Sequence, residues 1–235
     1  MSRMAKRPAG TKTAEQGEAT ESTPLPDSGP LKTTTYLLNK GTVLYRVHLE
    51  QYAADQFNPG LRGNARFSPI TTAQGEPVPT LYAGVTSDCA MMETVFHDVS
   101  FAPGLKTYDK NKLNGQVLSA LEVTENLELL DLATVPLRKL GITRKELIDT
   151  EKDNYPVTRK WAEKLYQQCT SAQGLSWISR QDDTARAMIL FGDRIKPASL
   201  CQAGGAKSLV NDAATYEEVL NLAARLGVLI VPGCD

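Results

Sequence analysis

Thr80-Leu81-Tyr82-Ala83-Gly84-Val85-Thr86-Ser87-Asp88-Cys89-Ala90-Met91-Met92-Glu93-Thr94-Val95-Phe96-His97-Asp98 is the stretch on which the reading of this chain turns. Its first five residues read as a short strand. A turn then leads into a helix capped by Thr86 or Ser87, whose hydroxyls can accept hydrogen bonds from the first free amides. At about 100° per residue, Cys89, Ala90, Met92, Phe96 and Val99 share one arc of that helix, with Glu93 in its middle. A carboxylate thus occupies a core-facing position. Burying it unpaired costs several kcal/mol, so Glu93 requires an arginine partner or a polar cavity.

Upstream, Thr42-Val43-Leu44-Tyr45-Arg46-Val47-His48 reads as a strand, with Val43, Tyr45 and Val47 on one face and Leu44, Arg46 and His48 on the other. Arg46 is either an edge-strand arginine reaching solvent or one pointing into a cavity that contains Glu93. The loop from Gly60 to Pro69 delivers Arg66 beside Phe67; a flexible arginine-bearing loop can cradle an anion, although surface loops commonly carry the same residues. Residues 1 to about 35 are rich in Thr, Ser, Pro, Gly, Lys and Glu. Such a segment cannot offset its ordering entropy, so it is expected to be a disordered tail, with order beginning near Tyr36.

Downstream, 115–123 and 127–132 read as strands, and Thr143 to Ile148 as a short helix with Thr143 and Glu146 in a capping box. Pro156 suits the first turn of a helix from Tyr155 to Cys169, whose inward stripe is Thr158, Trp161, Ala162, Leu165 and Cys169. Thr158 either presents its hydroxyl to an anion near the helix's positive end or bonds back to its own first turn. Strands at 175–180 and 187–191 form an expected terminal hairpin, with Ser179 and Arg180 at a strand end. A last helix, 215–226, ends at Gly227 and precedes an expected edge strand at 228–231. Gly204-Gly205-Ala206-Lys207-Ser208 lacks the spacing of a phosphate-binding loop.

With 235 residues and 41% hydrophobic content, the chain can bury one sizeable core. One main domain is expected at 36–200, with 201–235 packed on it. No run of some 18 apolar residues suggests a membrane span, and the basic start lacks the apolar segment of a secretory signal, so a cytoplasmic protein is expected. Twenty-six basic residues against 27 acidic ones give a net charge of −1, which argues against direct nucleic-acid binding. Cys89, Cys169, Cys201 and Cys234 are widely spaced and the only histidines are His48 and His97; neither a disulfide framework nor a metal centre is expected.

Taken in order, Tyr45-Arg46, Gly63-Asn64-Ala65-Arg66-Phe67-Ser68-Pro69, Leu81-Tyr82-Ala83, Met92-Glu93, Tyr155 to Ala162 and Gly174 to Gln181 through Leu190-Phe191 resemble the RES domain family over about 41–195. That family is named for arginine, glutamate and serine, and includes toxins of bacterial toxin–antitoxin modules. The resemblance implies an α+β fold similar to ADP-ribosyltransferase toxins: a mixed sheet with flanking helices and a cleft that takes NAD as substrate, without a metal. It implies that Arg46 anchors NAD or its pyrophosphate, that Tyr82 packs against the nicotinamide side, that Glu93 acts at the nicotinamide ribose and that Arg66 lines the pocket. The family serine corresponds to Thr158, and Ser179 matches a second recurrent serine. Phe67 and Ser68 stand where the family usually has Trp and Asn.

The activity implied is that of a toxin degrading NAD at the nicotinamide–ribose bond, as a glycohydrolase or phosphorylase. A mono-ADP-ribosyltransferase acting on a cellular protein and a non-catalytic nucleotide- or partner-binding module are the alternatives. The implied partner is a cognate helix-turn-helix antitoxin, with the assembly open between a homo-oligomer and a toxin–antitoxin complex.

Overall fold

The computed structural model describes residues 23–60, 62–100 and 102–233. In chain order its elements are β1 (Thr35–Leu38), β2 (Val43–Leu49), β3 (Thr80–Gly84), α1 (Ser87–Thr94), β4 (Lys106–Asp109), β5 (Gln116–Val123), β6 (Leu127–Asp131), α2 (Thr134–Leu140), α3 (Arg144–Leu147), α4 (Tyr155–Gln168), β7 (Gly174–Ile178), β8 (Arg186–Phe191), β9 (Leu200–Gln202), β10 (Lys207–Ser208), α5 (Ala213–Arg225) and β11 (Val228–Val231). Nine strands form one mixed sheet in the order β1-β6-β7-β8-β3-β2-β5-β10, with β9 also on β5. β6 and β7 run parallel; the other pairs of this sheet are antiparallel. The fold is α+β. Among the described residues, no helix is long and apolar enough to cross a membrane.

Alternation along the central strands sorts the core into faces. Tyr82, Leu175, Trp177, Ala187 and Ile189 pack with Trp161, Ala162 and Leu165 of α4 and with Phe67. On the same side of the sheet, Val47 and Leu118 pack with α1 and α5. Leu44, Leu81, Ala83, Met188 and Leu190 lie on the opposite face, which is covered by Ala54, Phe57, Ile195 and Leu200 from loops and short strands. Helices thus cover one face, and α1 sits at a seam: Cys89 belongs to the α4 cluster, while Ala90, Met91 and Met92 belong to the α5 cluster.

That seam changes the reading of the decisive stretch. Thr86 caps α1 as expected, its hydroxyl accepting from the Cys89 amide at 3.0 Å. The helix stops at Thr94, however, so Val99 lies beyond it, and four consecutive residues from Cys89 to Met92 are buried. Contact on two sides leaves no single apolar arc, and Glu93 is only partly buried. The close approach of α1 to β3 depends on Gly84, where a Cβ would fall 2.8 Å from Cys89 Sγ and 3.0 Å from the Ala90 nitrogen. Gly84→Ala should therefore displace α1 and cost about 1–3 kcal/mol, measurable as a lower urea midpoint.

The β7–β8 hairpin is central, between β6 and β3, where a terminal hairpin was expected. β6 takes the free edge of β7 in parallel, a pairing that no local signal announces. β11 pairs in parallel with β4 in a separate two-stranded sheet. The capping box of α3 forms as expected, with the Thr143 hydroxyl accepting from the Glu146 amide. The helix α2 was not among the expected elements, although Pro136 in its first turn and Gly141 closing it in the left-handed region are start and stop signals.

Of the expected N-terminal tail, residues 1–22 lie outside the described residues. Among the described residues, packing is already present at Thr23, ahead of the boundary near Tyr36. Thr23 donates to the Glu146 carbonyl at 2.6 Å, Trp161 donates to the Pro24 carbonyl at 2.7 Å, and the Leu31 amide donates to Gln168 at 2.8 Å. Trp161 and Gln168 of α4 and the Glu146 carbonyl of α3 supply hydrogen bonds this extended segment cannot make for itself, which its own composition could not disclose.

Candidate active site

Glu93, Ser179, Tyr82, Arg66 and Tyr155 converge where α1, β3, the end of β7 and the start of α4 meet. Ser179 follows the last residue of β7 and is fully buried. Its hydroxyl accepts the Gln181 and Asp182 amides, both at 3.0 Å, so its own proton is free to go to Glu93 Oε1 at 2.7 Å. This bond holds one oxygen of the carboxylate in place. Tyr82 on β3 accepts the Phe67 amide at 3.1 Å, and its ring packs edge-on against Trp177. Burial pushes the Tyr82 hydroxyl up to about 12.

Arg66 is the unusual member. It is 4% exposed, its Nε is buried without a partner, and its guanidinium carbon stands 5.5 Å from the centre of the Tyr155 ring. Among the described residues no hydrogen bond or ion pair engages that guanidinium. Its backbone is better held, since Thr158 donates to the Arg66 carbonyl and Arg159 donates to Asn64 at 2.8 Å. Arg66 and Glu93 both act on Tyr155, whose hydroxyl is pushed up chiefly by burial and further by Glu93, against the opposing pull of Arg66 and Arg180.

Thr158 and Arg46 are placed elsewhere. The Thr158 hydroxyl is turned to the Arg66 carbonyl and, at 3.1 Å, to the Tyr155 carbonyl. It thus bonds back into its own first turn and fastens the Arg66 loop to α4. Arg46 does not meet Glu93, nor does it lie on an edge strand. β2 sits between β3 and β5, and alternation turns Leu44, Arg46 and His48 to the loop-covered face while Tyr45 and Val47 face α1. The Arg46 guanidinium donates to the carbonyls of Ala54 at 2.7 Å and Gln56 at 2.8 Å, and burial lowers its pKa to about 10.

A cleft of about 500 Å³ is walled by His97, Lys152, Tyr155, Arg180 and Gln181 among others; Glu93, Ser179, Arg66 and Tyr82 do not line it, and it adjoins them through Gln181, whose amide donates to Ser179, and through Tyr155, which contacts Arg66. A larger groove of about 590 Å³, walled by Arg144, Asp149 and Asp183 among others, lies beyond Arg180. The smaller one is the relevant space, because only it carries Tyr155, the residue that contacts Arg66. Cys89 offers no nucleophile here: burial, with Glu93 and Asp182 adding to it, pushes its thiol up to about 12. Among the described residues no group of three or more His, Cys, Asp or Glu side chains is placed to hold a metal. What the arrangement can do is stabilise positive charge developing next to a fixed carboxylate while a nearby unpaired arginine receives an anionic group.

The RES domain family model matches residues 43–210, most of the chain. The chain belongs to the RES domain family. No curated protein matches it. In this RES domain the hydroxyl that meets Glu93 is that of Ser179, and the arginine on the same face is Arg66. Ser179→Ala would leave the part-buried Gln181 and Asp182 amides short of an acceptor and free the carboxylate to rotate. A loss of about 1–3 kcal/mol in unfolding free energy is expected, read from urea denaturation. Tyr155 and His97 were not singled out from sequence as site residues. Tyr155 looked like a helix start, and nothing local connects it to a histidine 58 residues away.

Proposed function

We propose that this RES domain consumes NAD by cleaving the bond between nicotinamide and ribose, as the toxin of a toxin–antitoxin pair. The observation that carries the reading is the pairing of a carboxylate fixed by Ser179 with a buried arginine whose donors are unused. As the C–N bond breaks, its electron pair leaves with nicotinamide and positive charge builds on the ribose. Glu93, accepting hydrogen bonds from ribose hydroxyls, stabilises that charge more in the transition state than in the ground state. Arg66 meets a pyrophosphate oxygen pair through planar, bidentate donation. Tyr82 supplies an aromatic wall beside the nicotinamide. Arg46, on the other face, would then support the β2 loop rather than touch NAD.

The acceptor at the ribose carbon is water or phosphate. Purified protein incubated with NAD should release free nicotinamide together with ADP-ribose, or with its 1-phosphate when inorganic phosphate is present. Label transferred from NAD to a protein would instead support a mono-ADP-ribosyltransferase. NAD left intact with water, phosphate and cell protein all supplied would overturn the proposal. The toxin reading further expects growth arrest on cytoplasmic expression, relieved by a helix-turn-helix antitoxin encoded beside it.

A further inference from the structure

We propose that His97 is a positioning residue that acts through the Tyr155 hydroxyl to set the place of Arg66. Its geometry is independent of the NAD reading; its consequence for substrate binding rests on that reading.

His97 lies four residues after Glu93, past the end of α1. Its Nδ1 is 2.8 Å from Asp98 Oδ1 and its Nε2 is 3.1 Å from the Tyr155 hydroxyl. Lys152 Nζ holds the other Asp98 oxygen at 2.7 Å, and hydrogen bonds from Lys152 and His97 keep the Asp98 carboxyl below the usual carboxylate range. In the tautomer whose Nδ1–H donates to Asp98, the Nε2 lone pair is the acceptor for the Tyr155 O–H. The His97 carbonyl is in turn held by the Gln181 side chain at 3.0 Å, which ties this segment to the turn that carries Ser179.

Tyr155 is 2% exposed and is the first residue of α4. Its ring face is the contact holding the guanidinium of Arg66, which has no hydrogen bond of its own among the described residues. An arginine held by a ring rather than by hydrogen bonds keeps its donors for a ligand. It also sits wherever that ring is tilted. The hydroxyl bond to His97 fixes the tilt, and so the donors of Arg66 are aimed by a histidine they never touch.

A double-mutant cycle with His97→Ala, Tyr155→Phe and the pair tests this, with two readouts. In ligand-free protein, NMR exchange of the Arg66 Nε–H should be faster in each single variant. The pair should be no faster than either, because both remove the same bond. With NAD, each single variant should raise KM about fivefold with kcat little changed, again without further loss in the pair. Effects that multiply, or His97→Ala exchanging at the wild-type rate, would overturn the proposal. His97 is partly exposed and Tyr155→Phe keeps the ring, so both variants should fold. If the wild type leaves NAD intact, the functional reading fails while the exchange measurement still decides the role of His97.

Discussion

Glu93→Gln should yield a stable, folded protein that releases nicotinamide from NAD about 10²–10³-fold more slowly than the wild type. Glutamine keeps the shape and an oxygen that can accept the Ser179 proton, but it loses the charge that would stabilise a developing ribose cation. Stability should move by no more than about 1 kcal/mol, because Glu93 is only partly buried and no arginine pairs with it among the described residues. Had Glu93 been one half of a buried ion pair, breaking it would cost about 3–5 kcal/mol. Nicotinamide release and urea unfolding on the same preparation separate the two cases. Full activity in the variant, or a collapse of stability that accounts for the loss, would remove Glu93 from the mechanism.

Arg66→Met should move stability and activity in opposite directions. An arginine that is 4% exposed with an unpartnered Nε is a strained choice for a core, since desolvating a charge without a partner costs several kcal/mol. Its contact with the Tyr155 ring offsets only about 0.5–2 kcal/mol of that. Methionine fills a similar volume without the charge, so a net gain of about 1–2 kcal/mol is expected, or about 2–8 °C in Tm for a chain of this size. The same change removes the donors for the pyrophosphate and should raise KM for NAD about a hundredfold. A residue kept for folding would behave otherwise: its loss would lower Tm and leave KM alone.

Local chemistry made much of the fold legible. The Thr86 cap, the Thr143–Glu146 capping box and the proline-led helix α4 are all written within a few residues of each other, and each forms where read. The α+β class was what the resemblance to the RES family implied, and the mixed sheet with its helices has it. The site was legible in its parts rather than in its assembly. Glu93, Tyr82, Arg66 and Ser179 were marked out in advance, and the structure brings them together; Arg46 and Thr158 were marked too, and their side chains are engaged elsewhere.

Residue parity along each strand, the capped helix ends, the arginine in its glycine-bearing loop and the family motifs are legible in residue order alone, because these depend on neighbours a few positions apart. Which strand face the helices cover, and therefore that Arg66 rather than Arg46 shares a side with Glu93, follows from long-range packing. Parity states that Tyr45 and Arg46 point oppositely; it does not state which way is toward α1. The bond from Ser179 to Glu93 spans 86 residues, and that from Tyr155 to His97 spans 58. Contacts at such separations arise when helix α1 is gripped between two core clusters, and no period within a single segment encodes that grip.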